Sequence, residues 1–304
     1  MLAATVAALL LASCSGMRKR SAATRSVYYW STRIDMDSAK LHFLKRYGIS
    51  RMYVRYFDVV QDEQQRSVPN ATLTFGSSMP KGVEIVPTVF VIPECVRADG
   101  PALAEKIVRR VMQMNATNDI AGVKELQIDC DWTLSTRRPY YHFMASMLAL
   151  CHKRGLSLSA TIRLHQLAQA PPPADRGVLM MYNTGDATNI GCQKPILDMR
   201  DAAPYMQHLG SYKLPLAAAY PVFGWDILFR GRQFVGILHA DDDYPRLPSD
   251  TVYTRRPSAA DIMQAIEAVQ KRRPDANNEL ILFDLSNKNI DRYTPKNYET
   301  FYNL

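Results

Sequence analysis

Asp129 and Asp131 stand two residues apart in the run Glu125-Leu126-Gln127-Ile128-Asp129-Cys130-Asp131-Trp132, where polar and apolar residues alternate. A period of two is the pattern of a β-strand, so Gln127, Asp129 and Asp131 share one face while Leu126, Ile128 and Cys130 share the other. Two carboxyl groups on one strand face repel each other when both are ionised, which raises the pKa of one of them. Such a pair suits acid–base chemistry, one carboxyl donating a proton while its neighbour stays ionised. On this reading Asp131, nearest the strand end, is the acid. Asp129, one pleat deeper, orients it and stabilises developing positive charge. The competing readings are a core cluster salt-bridged to Arg55 and Arg163, and an edge strand with one wet face.

The rest of the chain must place that strand. Strand-like runs occupy residues 27–30, 51–60, 83–92, 124–132, 156–164, 178–183, 214–222 and 279–285. Between them, apolar residues recur at helical spacing over 35–47, 101–114, 138–154, 197–209 and 258–273, with Gly48 and Gly155 as C-terminal stops. The stretch 62–82 is rich in Gln, Ser, Pro and Gly, and a Pro171-Pro172-Pro173 loop follows the fifth strand, so the second and fifth units are expected to lack regular helices. A longer insertion after the seventh strand has room for a hairpin around Gly231. Strand and helix alternating in this way predict an α/β chain folded as a (β/α)8 TIM barrel. The alternative is a doubly wound open sheet, but the Gly-rich fingerprint such sheets carry after the first strand is absent.

A barrel of this kind does its chemistry at the C-terminal ends of its strands. Polar residues gather there: Trp30 and Arg33 after the first strand, Arg55 and Asp58 at the second, Glu94 after the third, and Asp129, Asp131 and Trp132 at the fourth. Arg163, His165 and Gln166 end the fifth, Tyr182 and Asn183 the sixth, Tyr220 and Trp225 follow the seventh, and Asp284 and Asn287 close the eighth. All three tryptophans, Trp30, Trp132 and Trp225, fall at strand ends. An indole offers a flat apolar face to the C–H face of a sugar ring, so the expected ligand is a carbohydrate. The bland reading has the tryptophans packing loops onto the barrel.

Asp129-Cys130-Asp131, taken with Met181-Tyr182-Asn183, resembles the D-x-x-D-x-D-x-E and M-x-Y-[DN] strand ends of family 18 glycoside hydrolases, which are (β/α)8 barrels. If Asp129 and Asp131 are the last two aspartates of that pattern, Thr133 stands where the family has its acid glutamate. Shifting the comparison by two residues makes Asp131 the acid and Asp129 its supporting neighbour. The runs 84–92, 126–133 and 158–166 also resemble an uncharacterised bacterial family of barrels, often lipoproteins, catalogued as a domain of unknown function. That second resemblance covers most of the chain and implies the fold, not the reaction.

Glycoside hydrolysis needs a carboxylic acid at the leaving oxygen and a second group opposite it, either a carboxylate or the substrate's own acetamido group. Tyr182, across the barrel from Asp131, would position the substrate. With Asn183 it can hydrogen-bond an acetamido group. Arg55, Arg163 and His165 can hold sugar hydroxyls or an acidic sugar, and Asp58, Glu94 and Asp284 are candidates for the second carboxylate. Two function classes stay open: a glycoside hydrolase-like enzyme, and a non-catalytic glycan-binding barrel in which Thr133 marks loss of the acid.

Composition limits the alternatives. The chain has 304 residues, 47% of them hydrophobic, enough for a sizeable core in one barrel. A net charge of +8 invites nucleic acid as a partner, but the Lys and Arg residues are scattered along the sequence and nucleic acid is not expected. The six histidines show no metal-ligand spacing, and neither a cofactor nor a metal is expected. Asp241-Asp242-Asp243 lacks the alternation of a calcium loop and reads as solvated loop. Leu2 to Leu11 is a short apolar run leading into Leu11-Ala12-Ser13-Cys14, which resembles the bacterial lipoprotein signal cut before a lipid-bearing cysteine. The organisation expected is a signal peptide over 1–13, a tether over 14–26 containing Met17-Arg18-Lys19-Arg20, and one barrel domain over 27–304. Cys14 would hold a monomeric protein to the cell envelope, at the outer membrane and facing the periplasm. Of the other cysteines, Cys130 and Cys151 read as buried thiols; an exported compartment permits disulfides among the four, in any of three pairings.

Overall fold

Eight parallel strands close on themselves: β1 (Thr24–Tyr29), β2 (Arg51–Gln61), β3 (Glu84–Val91), β4 (Glu125–Asp129), β5 (Ser157–Arg163), β6 (Arg176–Met180), β7 (Leu216–Pro221) and β8 (Glu279–Phe283). The ring closes where β1 pairs with β8 through Thr24 and Glu279 and with β2 through Ser26 and Arg51. This is the (β/α)8 barrel expected from the alternation, and the open sheet is excluded. The computed structural model describes residues 24–97, 100–238 and 243–303. Cys14, the signal and most of the tether lie outside the described residues, as do Asp241 and Asp242.

All five residues of β4 are buried. A barrel strand is covered on both faces, by the interior on one side and by helices on the other, so burial does not alternate even where polarity does. The helices α1 (Ser38–Arg46), α2 (Gly100–Thr117), α3 (Arg137–His152), α4 (Met199–Met206) and α5 (Ala259–Arg272) form the outer layer, with α6 (Asn287–Ile290) and α7 (Pro295–Tyr302) after β8. In α5 the buried residues Ile262, Ala265, Ile266 and Val269 follow the three-and-four spacing that puts one stripe against the sheet. A reciprocal Ser258 and Asp261 capping box starts that helix. Gly48 and Gly155 adopt φ of +61° and +70°, the left-handed turn that lets α1 and α3 stop and the chain enter the next strand.

The second and fifth units lack a regular α-helix, as the composition predicts. After β2 the chain runs back antiparallel as a short strand, Ser67–Asn70, and then pairs Thr74–Phe75 with Arg33–Ile34. After β5 only a 3-10 turn, Leu164–Ala168, precedes β6. The insertion after β7 is larger than a hairpin. Trp225–Arg230 and Gln233–Leu238 turn at Gly231, and Asp250–Arg255 adds a third antiparallel strand on the other edge.

Strand ends differ from the sequence-based expectation where it matters for the site. β4 stops at Asp129, not Trp132, and β6 stops at Met180, before Tyr182 and Asn183. Among the described cysteines none is paired, and Cys130 and Cys151 are fully buried.

Candidate active site

The barrel interior is layered from the N-terminal to the C-terminal end of the strands. At the middle, Tyr28 donates to Gln127 at 2.7 Å, Thr88 donates to the same oxygen at 3.2 Å, and the Gln127 amide donates to Ser159 at 3.3 Å. One pleat higher, at the mouth, stand Trp30, Arg55, Asp129, Arg163, Tyr182 and Phe283, which with Asp284 line a cleft of about 480 Å³.

Asp129 points into this cleft from β4 and is almost fully buried. Thr161 donates to its Oδ1 at 2.6 Å and Arg163 Nη2 at 3.0 Å. Burial pushes the Asp129 carboxyl above its usual range, an effect that the Arg163 guanidinium opposes and the nearby Asp131 charge reinforces. Burial likewise works against the Arg163 charge, but Asp129, Tyr182 and Asp131 more than offset it and hold the guanidinium protonated. Asp284, from the end of β8 on the opposite side of the ring, forms no salt bridge among the described residues, though the Arg292 charge acts weakly on it. The Asn289 amide donates to its Oδ1, and burial raises the carboxyl to about 6.

Aromatic rings form the apolar wall. Phe283 sits among Tyr28, Trp30, Tyr182 and Phe223, with ring centroids between 5.0 and 5.8 Å, and Trp225 continues the wall 5.7 Å from Phe223. Arg55 lies over the Trp30 ring at 5.4 Å, and its other partner is Asp58, which it grips with two hydrogen bonds. Asn183 holds a φ of +57°, an uncommon conformation for a side-chain-bearing residue, at the lip of the cleft.

Several residues named from the sequence stand elsewhere. Asp131 follows the end of β4, is half exposed, and accepts from Arg163 Nε; it lines a smaller adjoining pocket of about 240 Å³ with His165, Asn183 and Tyr205. Arg163 therefore binds both aspartates, as the salt-bridge reading had it, while Arg55 does not join them. Trp132 is not at the mouth. Its indole is buried against Tyr140 and Tyr141 of α3, because even-numbered positions of this run face the helices. Tyr220 also faces outward, donating to Asn277 at 2.6 Å behind the barrel. Glu94 is exposed on the 3-10 turn Pro93–Val96, outside the cleft, and Asp58 reaches it only through Arg55. Thr133 is exposed and hydrogen-bonded to Ser135.

Sequence reading missed Phe283, Phe223, Lys288 and Asn289, all of which line the cleft. Phe283 was in reach, since it is two pleats from Glu279 on the inward face of β8. Phe223, Lys288 and Asn289 lie in connections with no periodicity, and nothing local announces them.

Solved structures share the fold. The spore cortex-lytic enzyme SleL of Bacillus megaterium is 11% identical over 93% of this chain and 74% of its own, with a TM-score of 0.59. A chitinase from Chromobacterium violaceum is 12% identical over 91% of this chain and 97% of its own, TM-score 0.59. Another, from Bacteroides thetaiotaomicron, is 9% identical over 92% and 96%, TM-score 0.54. No family model matches the sequence, and no curated protein matches it either. At such identities the likeness is one of fold, the (β/α)8 barrel.

Proposed function

We propose that the cleft binds a glycan and acts on it as a glycoside hydrolase-like enzyme, with Asp284 as the proton donor and Asp129 as the facing carboxylate. The observation that carries this reading is the union, in one cleft, of an aromatic wall from Trp30 to Trp225 with two desolvated carboxyls from opposite strands, of which Asp129 is salt-bridged and Asp284, among the described residues, is not. Burial raises both carboxyls, and the Arg163 guanidinium salt-bridged to Asp129 is what distinguishes them and suggests their roles. Asp284, raised by burial to about 6 with an amide as its side-chain partner, holds its proton below that pH and in a minor fraction of molecules at neutrality. Asp129, beside Arg163, supplies negative charge to an oxocarbenium-like transition state. Tyr182 and Asn183 stand where an acetamido or hydroxyl group can be held, and Asp131 acts by fixing Arg163. Resemblance to family 18 strand ends and a barrel shared with chitinases support a glycan as the ligand.

Thr133 favours a second reading, a barrel that binds glycan without cleaving it. A panel of N-acetylated and acidic oligosaccharides, scored for both binding and hydrolysis, separates the two. Hydrolysis supports the enzyme, and binding without hydrolysis supports the binding protein. Absence of both would sink the glycan reading altogether. The proposed place of action is the cell envelope through a lipid on Cys14; a Cys14→Ser variant that stays in the membrane fraction with its processing unchanged would refute that anchor.

A further inference from the structure

The strands of the barrel are all parallel, so the segment entering each strand lies at one end of the molecule, away from the cleft. Six of the eight are basic, β6 being entered through Asp175. Lys45 precedes β2, Lys81 β3, Lys124 β4, Lys153 β5, Lys213 β7 and Arg272 β8, and every one of them is exposed and without an ion pair. Of the carboxylates on that end, Glu299 pairs with Arg46, Asp175 with His152 and Asp275 with Arg273, while Asp119 in the loop before β4 is exposed and forms no salt bridge among the described residues. The scatter of Lys and Arg along the sequence thus becomes a ring in space.

Helix dipoles explain part of this ring, because cations are favoured in the last turn of a helix. Lys45 and Arg272 fit that account. Lys81 follows a segment with no helix, Lys124 stands seven residues beyond α2, and Lys213 follows a 3-10 turn, so the dipole gives no reason for them. We propose that this end of the barrel docks on a membrane surface rich in anionic lipid headgroups.

Two further observations choose a membrane over another polyanion. The cations are spread around the end of a barrel rather than along a groove, and the exposed large aromatic among the described residues, Tyr205, lies beside the cleft at the other end, so the face lacks the stacking groups that single-stranded nucleic acid needs. Residues 1–23, with the apolar run from Leu2 to Leu11 and the basic triplet Arg18-Lys19-Arg20, join the barrel at this same end, where β1 starts at Thr24. No helix among the described residues is long and apolar enough to cross a membrane, so contact here is peripheral. Docking this way turns the cleft away from the bilayer. The proposal shares the envelope location of the functional reading but is independent of the glycan chemistry.

The test uses the full chain carrying Cys14→Ser, so that no acyl chain contributes, and phosphatidylcholine vesicles with and without phosphatidylglycerol. The expected result is sedimentation with the anionic vesicles only, reversed by salt. Each basic residue at such a surface contributes roughly fivefold in affinity, so Lys81→Glu/Lys124→Glu/Lys213→Glu should weaken binding by about 100-fold or more. Arg97→Glu/Arg138→Glu, at the cleft end, should bind as the parent does. Lys81→Gln/Lys124→Gln/Lys213→Gln should lose less than the charge reversal, which excludes misfolding as the cause. Equal binding to both vesicles, equal loss in the cleft-end variant, or a duplex DNA held as tightly as the vesicles through the same lysines would each overturn the proposal.

Discussion

Both ends of the barrel bury carboxylates against arginines, and they do so differently. At the N-terminal end Arg51 and Arg176 reach Glu84, Glu125 and Glu279, with Arg51 3.2 Å from Glu279, while Ser26 and Tyr53 donate to Glu279 at 2.7 and 3.0 Å. Cation and anion interleave there and the layer is closed. At the C-terminal end Arg163 alone among the described residues is salt-bridged to Asp129 and Asp131, Asp284 accepts from the Asn289 amide without a salt bridge, and the layer opens into a cleft walled by aromatics. The lesson is that buried charge in a barrel marks function where it opens into a cleft, not merely where it is abundant.

The contrast breaks first at Asp284. Asp284→Asn keeps the carbonyl that accepts from Asn289 but cannot donate a proton to a leaving group, so turnover of any cleaved glycan should fall by about 10²–10⁴-fold with binding retained. The same variant carries a signature in stability. The folded pKa of about 6 lies above the usual 3.8, so this carboxyl favours the fold when protonated and loses that contribution as pH rises through about 6. Asp284→Asn should therefore melt higher than the parent at pH 8 and close to it at pH 4. A lower melting point at pH 8 would mean that the group is not desolvated as described.

Glu279→Ala probes the other end. Removing it leaves Arg51 to Glu84 and Glu125 and Arg176 to Glu125 alone, and should cost up to about 3–5 kcal/mol in denaturant unfolding, with turnover of the folded fraction unchanged. Loss of turnover without loss of stability would erase the distinction between the ends. A smaller effect is expected at the wall: Trp30→Ala removes the indole under Arg55 and should weaken glycan binding by roughly 10- to 100-fold. Smallest is Asp131→Asn, expected to change turnover less than about tenfold because its carboxyl is half exposed and acts through Arg163. If Asp131→Asn abolishes turnover and Asp284→Asn does not, the acid is Asp131 and the assignment between the two strands reverses.

Much of the fold was legible in the chain. The strand runs near β2, β3, β5 and β8, the helical stripe of α5 and the irregular second and fifth units follow from local periodicity and from Pro and Gly content. The site was legible in part. Asp129, Arg163, Tyr182, Trp30, Trp225 and Asp284 could be named because they sit at the ends of recognisable strands. Trp132 and Tyr220 were named for their type and position along the chain, yet a one-residue difference in strand register sends a side chain to the opposite face. The Asp129-Cys130-Asp131 alternation suggested two inward carboxyls on one strand face with Asp131 as the acid, and the end of β4 at Asp129 separates them into a buried one and an exposed one.

What the sequence by itself determined is the number and order of the eight barrel strands and the five outer helices between them, and the end of the barrel at which polar groups gather, because periodicity, capping and turn chemistry act over a few residues. The tertiary structure decided which carboxyl is desolvated, which arginine each aspartate meets, and that Phe283 and Phe223 complete the wall. It also gathered scattered lysines into one basic face. Desolvation and pairing are sums over neighbours from different strands, and those neighbours are set only when the ring closes between β1 and β8.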